Sequence, residues 1–279
     1  MWRRFAAATR AARFSSAAVP TTTAAYEASL ASKRWWRALY DSNGDAFTLS
    51  EVSPTLTRFW PLLSGAVDAD GSPTAAADVA ANTAAADAAQ GGRRCLVPLC
   101  GRDISTTFIA SQRGWGCVGV DFADSALRKL GAEIGGLVPQ GVQGARLGVY
   151  RTERYDRLLL VHADFFSLPP EDFGGGFDAV WDRGGLTSMG APAERAAYAA
   201  RLAQLMNPGG RLLLEMLCTN IEMGGAVDAG EAVACLRGAG LAVRELAQRD
   251  VRGEYPDFSP PGLAYLREVV LLGEKAAAV

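Results

Sequence analysis

The chain has 279 residues, of which 49% are hydrophobic and 21% charged, and its formal net charge is −2 at pH 7. That length is enough for one large core with a small appendage, and the small net charge argues against nucleic-acid binding, which needs a basic surface. The five cysteines form no CxxC pair, and the single histidine, His162, lacks an accompanying GxSxG motif. We therefore expect no disulfide framework, no bound metal and no Ser-His-Asp triad. Membrane insertion is not expected either, because no apolar run reaches spanning length.

Residues 1–24 have the composition of a targeting sequence rather than of a folded segment. They contain four arginines and many Ala, Ser and Thr residues, and no acid precedes Glu27. This composition predicts an organellar transit peptide, with the mitochondrion favoured because arginine is dense. A plastid address and the basic tail of a cytoplasmic protein are the alternatives. Residues 25–279 are expected to form a single domain.

The first part of this domain, residues 25–64, is rich in aromatic side chains. Trp35, Trp36 and Tyr40 have helical spacing, and a second helix is predicted over residues 53–63. These helices form an N-terminal cap, and the two adjacent tryptophans could cover an aromatic ligand. The Ala-rich residues 65–92 are expected to form a surface helix or an insertion without fixed structure, and no function is assigned to them.

The segment 94–121 predicts a strand, a tight turn at Gly101, a helix and a second strand that ends at Asp121. A glycine-containing turn after the first strand and an acid after the second form the geometry of a nucleoside-binding half-site. The turn lacks the G-x-G-x-x-G pattern that pyrophosphate binding requires. A nucleoside without phosphates fits better, and S-adenosylmethionine is the obvious candidate. An acid at the end of a strand is also common as a simple turn residue.

Two further apolar runs end in polar residues. Residues 146–150 and 158–161 predict a hairpin whose second arm leads to Asp164 and Phe165. Here an acid can accept a hydrogen bond from an adenine amino group while the next aromatic ring covers the base. The strand at 179–181 is followed by Asp182 and Arg183. An arginine there could hold a carboxylate bidentately, with Asp182 orienting it or touching an acceptor, and a surface ion pair is the alternative.

The remaining pattern completes an α/β domain. A helix is predicted at 193–206, a turn at 207–210, a strand at 211–217 and a helix at 231–237. The last two strands, 241–246 and 268–272, have no helical pattern between them and are expected to pair antiparallel. The prediction is a Rossmann-like, doubly wound sheet that is mostly parallel, with an antiparallel C-terminal strand, as in class I methyltransferases.

Four segments together resemble the thiopurine S-methyltransferase family. They are WWRALYDSNGDAF with PTLTRFWPLL, LVPLCGRDIS with GVD downstream, ADFFSLP, and FDAVWDRGGL. The resemblance extends from Ser32 to the C-terminus and leaves the Ala-rich insertion unmatched. It implies S-adenosylmethionine as methyl donor, S-adenosylhomocysteine as product, and a small thiol as acceptor, in a protein that we expect to be a monomer.

The resemblance also implies roles for individual residues. Phe47 would face the acceptor. Apart from the resemblance, Asp182 and Arg183 are the candidate catalytic residues, because they follow the strand at 179–181, with Asp182 as an auxiliary base. The residues implied at the donor site, together with the turn glycine, are Trp36 or Trp35, Leu99, Gly101, Asp121, Asp164, Phe165 and Arg183.

Two loops depart from the family pattern and leave the acceptor open. Residues 219–228 read TNIEMGGAVD where the family often has a Gly-Pro-Pro-Phe-type loop, and residues 254–262 read EYPDFSPPG without the arginine expected before the last strand. Halide, thiocyanate or selenium acceptors are therefore alternatives, as is small-molecule O-methylation. A non-catalytic scaffold that binds S-adenosylmethionine is a further alternative.

Overall fold

The computed structural model describes residues 33–34, 36–42, 48–68, 72, 92–140, 148–168, 176–220, 227–255 and 261–278. The predicted transit peptide, Trp35, Phe47 and most of the Ala-rich segment lie outside these ranges. Within the described residues, no helix has the length and apolar character needed to cross a membrane.

Nine strands and five α-helices make up most of the described chain, and residues 33–34 and 36–41 are helical at its start. The strands are β1 Arg93–Pro98, β2 Trp115–Asp121, β3 Leu137–Gln140, β4 Gly148–Thr152, β5 Leu158–His162, β6 Phe177–Arg183, β7 Met206–Thr219, β8 Leu241–Asp250 and β9 Leu266–Lys275. The helices are α1 Pro54–Leu63, α2 Ser105–Ser111, α3 Asp124–Glu133, α4 Pro192–Leu205 and α5 Ala229–Gly238.

All nine strands belong to one sheet with the order β3-β4-β5-β2-β1-β6-β7-β9-β8. Neighbours from β5 through β7 pair in parallel, whereas β9 lies antiparallel between β7 and β8. The fold class predicted from the sequence is confirmed. From β1 the chain first builds the sheet on one side, through β2 to β5. It then crosses to the other side of β1 and continues with β6, so the direction in which strands are added reverses between β1 and β6. Open α/β sheets bind ligands at the carboxyl ends of the strands at such a reversal.

Buried side chains cover both faces of the sheet. One apolar cluster contains Phe165, Tyr198 and Leu214, and the other contains Trp60 and Trp181. Because helices cover the parallel strands on both faces, these strands are apolar along their length instead of alternating with polar residues. This is why runs such as 95–97 and 212–214 were recognisable as strands.

Two local features differ from the predictions. The predicted hairpin is present as β4 and β5, but β3 adds an unpredicted strand at the edge of the sheet. Residues 207–210, predicted as a turn, instead lie within β7, where the pairing shifts between Phe177 and Ala179. Gly209 has φ +76° at this irregularity. A bulge and a turn both favour glycine at positive φ, so the sequence did not distinguish them.

Candidate active site

The turn after β1 has a strained backbone that is fixed to the end of β2. Leu99 has φ +48° and Gly101 has φ +51°. Positive φ is uncommon outside glycine, and strain of this kind is concentrated at functional sites. The amide of Gly101 donates to Asp121 Oδ2 at 2.8 Å, and that of Cys100 donates to the Val120 carbonyl at 3.0 Å. Both turn amides therefore bond within the protein, which suits a nucleoside better than a phosphate.

Asp121 lies beneath this turn and is only 2% exposed. Its second oxygen, Oδ1, accepts a hydrogen bond from the Ala123 amide at 2.7 Å. Burial raises the pKa of Asp121 to about 6, although the amides of Ala123 and Gly101 act in the opposite direction. A carboxylate has about four acceptor positions, so both oxygens retain the capacity to accept from ribose hydroxyls. The side chain thus fixes the turn and also has the chemistry expected of a ribose partner.

The loop after β5 places Asp164 and its aromatic neighbours at the same edge of the sheet. Asp164 Oδ1 accepts from the Phe166 amide at 3.2 Å, and Oδ2 pairs with Lys33 Nζ at 2.5 Å. Phe165, predicted to cover adenine, is 1% exposed and packs against Tyr198 with ring centroids 5.5 Å apart. Phe166 is 41% exposed. The structure therefore places Phe165 in the core and presents the Phe166 ring at the surface.

The N-terminal segment, defined here as residues 33–42 without Trp35, covers this edge. Trp36 and Tyr40 stack with ring centroids 6.1 Å apart, and the Arg37 guanidinium lies 5.6 Å from the Phe122 ring centroid. A Cβ atom added to Gly101 would lie 2.1 Å from the Tyr40 hydroxyl. The segment therefore lies directly over the strained turn, in the position expected of a cover.

Asp182, the candidate auxiliary base, faces the protein interior. Its side chain is fully buried, and Oδ1 accepts from the Gly185 amide at 2.7 Å. Burial raises the pKa of Asp182 to about 6, while the Gly185 amide and the Tyr198 hydroxyl oppose that rise. This geometry favours a role in holding the turn after β6 over direct contact with an acceptor.

Arg183 is paired with Glu215, a residue that the sequence analysis did not identify. The two are opposite each other in the β6–β7 register, and Arg183 Nε donates to Glu215 Oε1 at 2.9 Å. Ser53 Oγ donates to Glu215 Oε2 at 2.9 Å. Burial alone would lower the pKa of Arg183, but the carboxylates of Glu215 and Asp103 outweigh it and raise that pKa, so the guanidinium stays charged.

One signal in the sequence could have identified this part of the site. Glu215 interrupts the apolar run 212–218, and a buried acid requires a partner. Asp103, two residues after Gly101, could be recognised only as a helix-capping residue. In the structure Asp103 Oδ1 accepts from the Ser105 amide, and Oδ2 accepts from Trp181 Nε1, both at 2.9 Å. Asp103 thereby joins the turn after β1 to β6.

The single sheet, its strand order and the antiparallel β9 have the architecture of class I S-adenosylmethionine-dependent methyltransferases, and the strained turn and the acids lie at the edge where such sheets bind ligands. Comparison with known proteins refines this class. The family model described as Thiopurine S-methyltransferase (TPMT) matches residues 79–276. The chain belongs to the thiopurine S-methyltransferase family.

Individual members of this family are similar to the chain over most of its length. The chain is 31% identical over 239 residues to a thiopurine S-methyltransferase of Pseudomonas fluorescens strain Pf0-1, covering 85% of this chain and 95% of that one. It is 33% identical over 241 residues to a thiopurine S-methyltransferase of Azotobacter vinelandii strain DJ, with the same coverage of 85% and 95%. The chain is thus an S-adenosylmethionine-dependent methyltransferase.

Proposed function

We propose that this enzyme transfers the methyl group of S-adenosylmethionine to the sulfur of a small-molecule thiol. The observation that carries this proposal is the engagement of the site's carboxylates. Asp121 accepts from two backbone amides, Asp164 is paired with Lys33, and Glu215 is paired with Arg183. Asp182 accepts from the Gly185 amide through Oδ1 and is fully buried. An alcohol acceptor would need one of these groups as a base. A thiolate is already the reactive form of its thiol and needs little such help.

The residues at the carboxyl edge supply complementary partners for the methyl donor. Asp121 would accept from the ribose hydroxyls, and Asp164 would accept from the adenine amino group. Arg183 would face the methionine carboxylate, because a guanidinium is well matched to that group. Among the aromatic residues, Phe166 is favoured over Phe165 to cover the base, because only Phe166 is exposed. Leu99, Gly101 and Trp36 would line the rest of the S-adenosylmethionine site.

When bound, S-adenosylmethionine supplies an activated methyl group on a sulfonium leaving group. The protein's contribution is then to align the acceptor with that methyl group and to exclude water, and positioning of this kind supplies much of the rate. Phe47 is proposed to face the acceptor. The relatives' name points to heteroaromatic thiols as the acceptor class, and the halide, selenium, oxygen and scaffold alternatives are not favoured by the family assignment.

Calorimetric titration with S-adenosylmethionine and S-adenosylhomocysteine tests the donor site. We expect both to bind, and we expect Asp121→Ala to abolish binding. Asp250→Ala is the matched control, since Asp250 lies at the end of β8 and pairs with Arg252 at 2.7 Å. Turnover of a panel of thiols, halides and selenols then identifies the acceptor class. A folded protein that binds neither nucleoside would contradict the proposal.

We further propose that residues 1–24 direct the protein to the mitochondrion, with the plastid and the cytoplasm as alternatives. Their four arginines and lack of acids support this. Import of the full chain into isolated mitochondria and chloroplasts, followed by N-terminal sequencing of the protected product, tests the proposal. Light scattering of the same product tests the proposed monomeric state, and a nucleic-acid binding assay tests the expectation, from the net charge, of no such partner.

A further inference from the structure

The positive charge of Arg183 is neutralised by a carboxylate of the protein itself. Arg183 Nε contacts Glu215 Oε1 at 2.9 Å, and the Arg183 and Glu215 side chains are only 19% and 8% exposed. The Glu215 carboxylate is held in place by Ser53 Oγ on its other oxygen. The Arg183 guanidinium is therefore already neutralised by a fixed carboxylate in a largely water-excluded position.

A second arginine–glutamate pair lies on the next two strands, β8 and β9. Arg249 donates to Glu268 through two nitrogens, each at 2.8 Å, and also contacts Glu254. Glu268 is 8% exposed and faces the same end of the sheet as Glu215, because it pairs with β7 at Leu217. No net positive charge is left by the described pairs at this corner.

We propose that Glu215 is a positioning residue that sets acceptor specificity, by making this site select thiols without a carboxylate over thiols that carry one. The inference rests on the proposed S-methyltransferase function. The acceptor sulfur has to approach the donor's methyl group, and so it must lie on the methionine side, next to Arg183. The donor's own carboxylate adds a further negative charge there. An acceptor carboxylate beside Arg183 would then be desolvated next to a guanidinium that Glu215 and the donor already neutralise, which is costly.

A pair of acceptors that share one reacting group tests this inference. 4-Nitrothiophenol and 5-thio-2-nitrobenzoate are both coloured thiolates, differing by a single carboxylate, and methylation removes the colour of each. We expect the wild-type protein to have the higher kcat/KM with 4-nitrothiophenol. Glu215→Gln keeps the shape and an acceptor oxygen for Arg183 but removes the charge. We expect this variant to shift the ratio of the two kcat/KM values about tenfold toward the carboxylate-bearing thiol.

Glu274→Gln is the matched control. Glu274 also lies on β9 and pairs with an arginine, Arg211, at 2.9 Å, but at the opposite end of the sheet from Glu215, so the ratio should stay at the wild-type value. Thermal unfolding of each variant establishes that it is folded. Ser53→Ala releases only one oxygen of Glu215 and should shift the ratio in the same direction as Glu215→Gln, by less.

The outcomes separate the inference from the proposed function. If Glu215→Gln lowers both kcat/KM values equally, Glu215 has a structural role only and the inference is overturned. A changed KM for S-adenosylmethionine with an unchanged acceptor ratio would also overturn it, because Glu215 would then act on the donor. If the folded wild-type protein binds no S-adenosylhomocysteine and methylates neither thiol, the proposed function fails, and the inference fails with it.

Discussion

Lys33 Nζ lies 2.5 Å from Asp164 Oδ2 and joins the N-terminal segment to the loop after β5. At the other end of the same segment, the Tyr40 hydroxyl lies against Gly101 in the turn after β1. The first contact is at the residue proposed to bind adenine, Asp164. The second is at the turn after β1, whose backbone is proposed to contact S-adenosylmethionine. The N-terminal segment therefore spans the proposed donor site, and we expect its contacts with the rest of the protein to affect ligand binding.

Loss of the Lys33–Asp164 ion pair should weaken donor binding modestly. The two side chains are 26% and 35% exposed, and pairs with that much solvent contact contribute less than about 1 kcal/mol. We expect Lys33→Met to raise the dissociation constant of S-adenosylhomocysteine about threefold, as measured by calorimetry. Arg34→Met, at the adjacent exposed position, should have no effect. Tighter binding by Lys33→Met would show instead that the lysine competes with adenine for Asp164.

Gly101→Ala should disturb the turn and displace Tyr40. The new Cβ would lie 2.1 Å from the Tyr40 hydroxyl, and φ at this position is +51°. The backbone strain alone costs about 1–2 kcal/mol for an alanine. We expect donor binding to weaken at least tenfold in titration calorimetry.

Gly209→Ala is the control for backbone strain, since Gly209 also has positive φ but no atom lies within 4 Å of its added Cβ. Gly209→Ala should lower the free energy of unfolding by the cost of backbone strain alone, about 1–2 kcal/mol, and leave donor binding unchanged. The Tyr40→Ala, Gly101→Ala double variant should recover part of the stability lost by Gly101→Ala. Purely additive losses would show that the Tyr40 contact is unimportant.

The fold followed from the sequence because its signals are local. Apolar runs marked the buried strands, and Gly114 and Gly240, both at positive φ, lie where a helix gives way to the next strand. The lack of a helical pattern between the last two strands indicated their antiparallel pairing. The edge strand β3 was missed because its residues, 137–140, are partly exposed and contain a proline. Such a segment has neither the apolar run nor the alternation that identifies strands.

The site was less predictable because it depends on contacts between distant residues. The acids at 121 and 164 were identifiable, since each follows an apolar run. The pairing of Arg183 with Glu215, however, depends on which strands are neighbours and in which register. The choice between Phe165 and Phe166 depends on the direction in which the chain leaves β5. A sequence of two adjacent phenylalanines contains no information on which one enters the core.

Asp182→Asn should separate a structural role from a catalytic one by its pH dependence. Burial raises the pKa of Asp182 from an ordinary value of 3.8 to about 6. The folded state thus holds this proton more tightly than the unfolded state, and the stability that the proton provides is lost as pH rises from 4 to above 6. The unfolding free energy of wild type relative to Asp182→Asn should fall by up to about 3 kcal/mol over that range.

Urea denaturation of both proteins at several pH values measures this difference. Because Asp182 faces Gly185 and Tyr198 inside the protein, we expect the pH profile of kcat to keep its shape in Asp182→Asn. Loss of an acidic limb in that profile, in the presence of saturating acceptor, would instead identify Asp182 as the auxiliary base.

Phe165 and Phe166 should respond in opposite ways to truncation, because one is buried and the other exposed. Phe165→Ala removes a ring that is 1% exposed and contacts Tyr198, and such a core truncation costs about 3–5 kcal/mol of stability. Phe166→Ala removes a ring that is 41% exposed and should change stability by less than about 1 kcal/mol. If Phe166 covers adenine, its loss should weaken S-adenosylhomocysteine binding about tenfold, as expected for a lost base–aromatic stack. If Phe166→Ala leaves the affinity for S-adenosylhomocysteine unchanged and a folded Phe165→Leu variant binds it more weakly, then Phe165 contacts adenine and Phe166 does not.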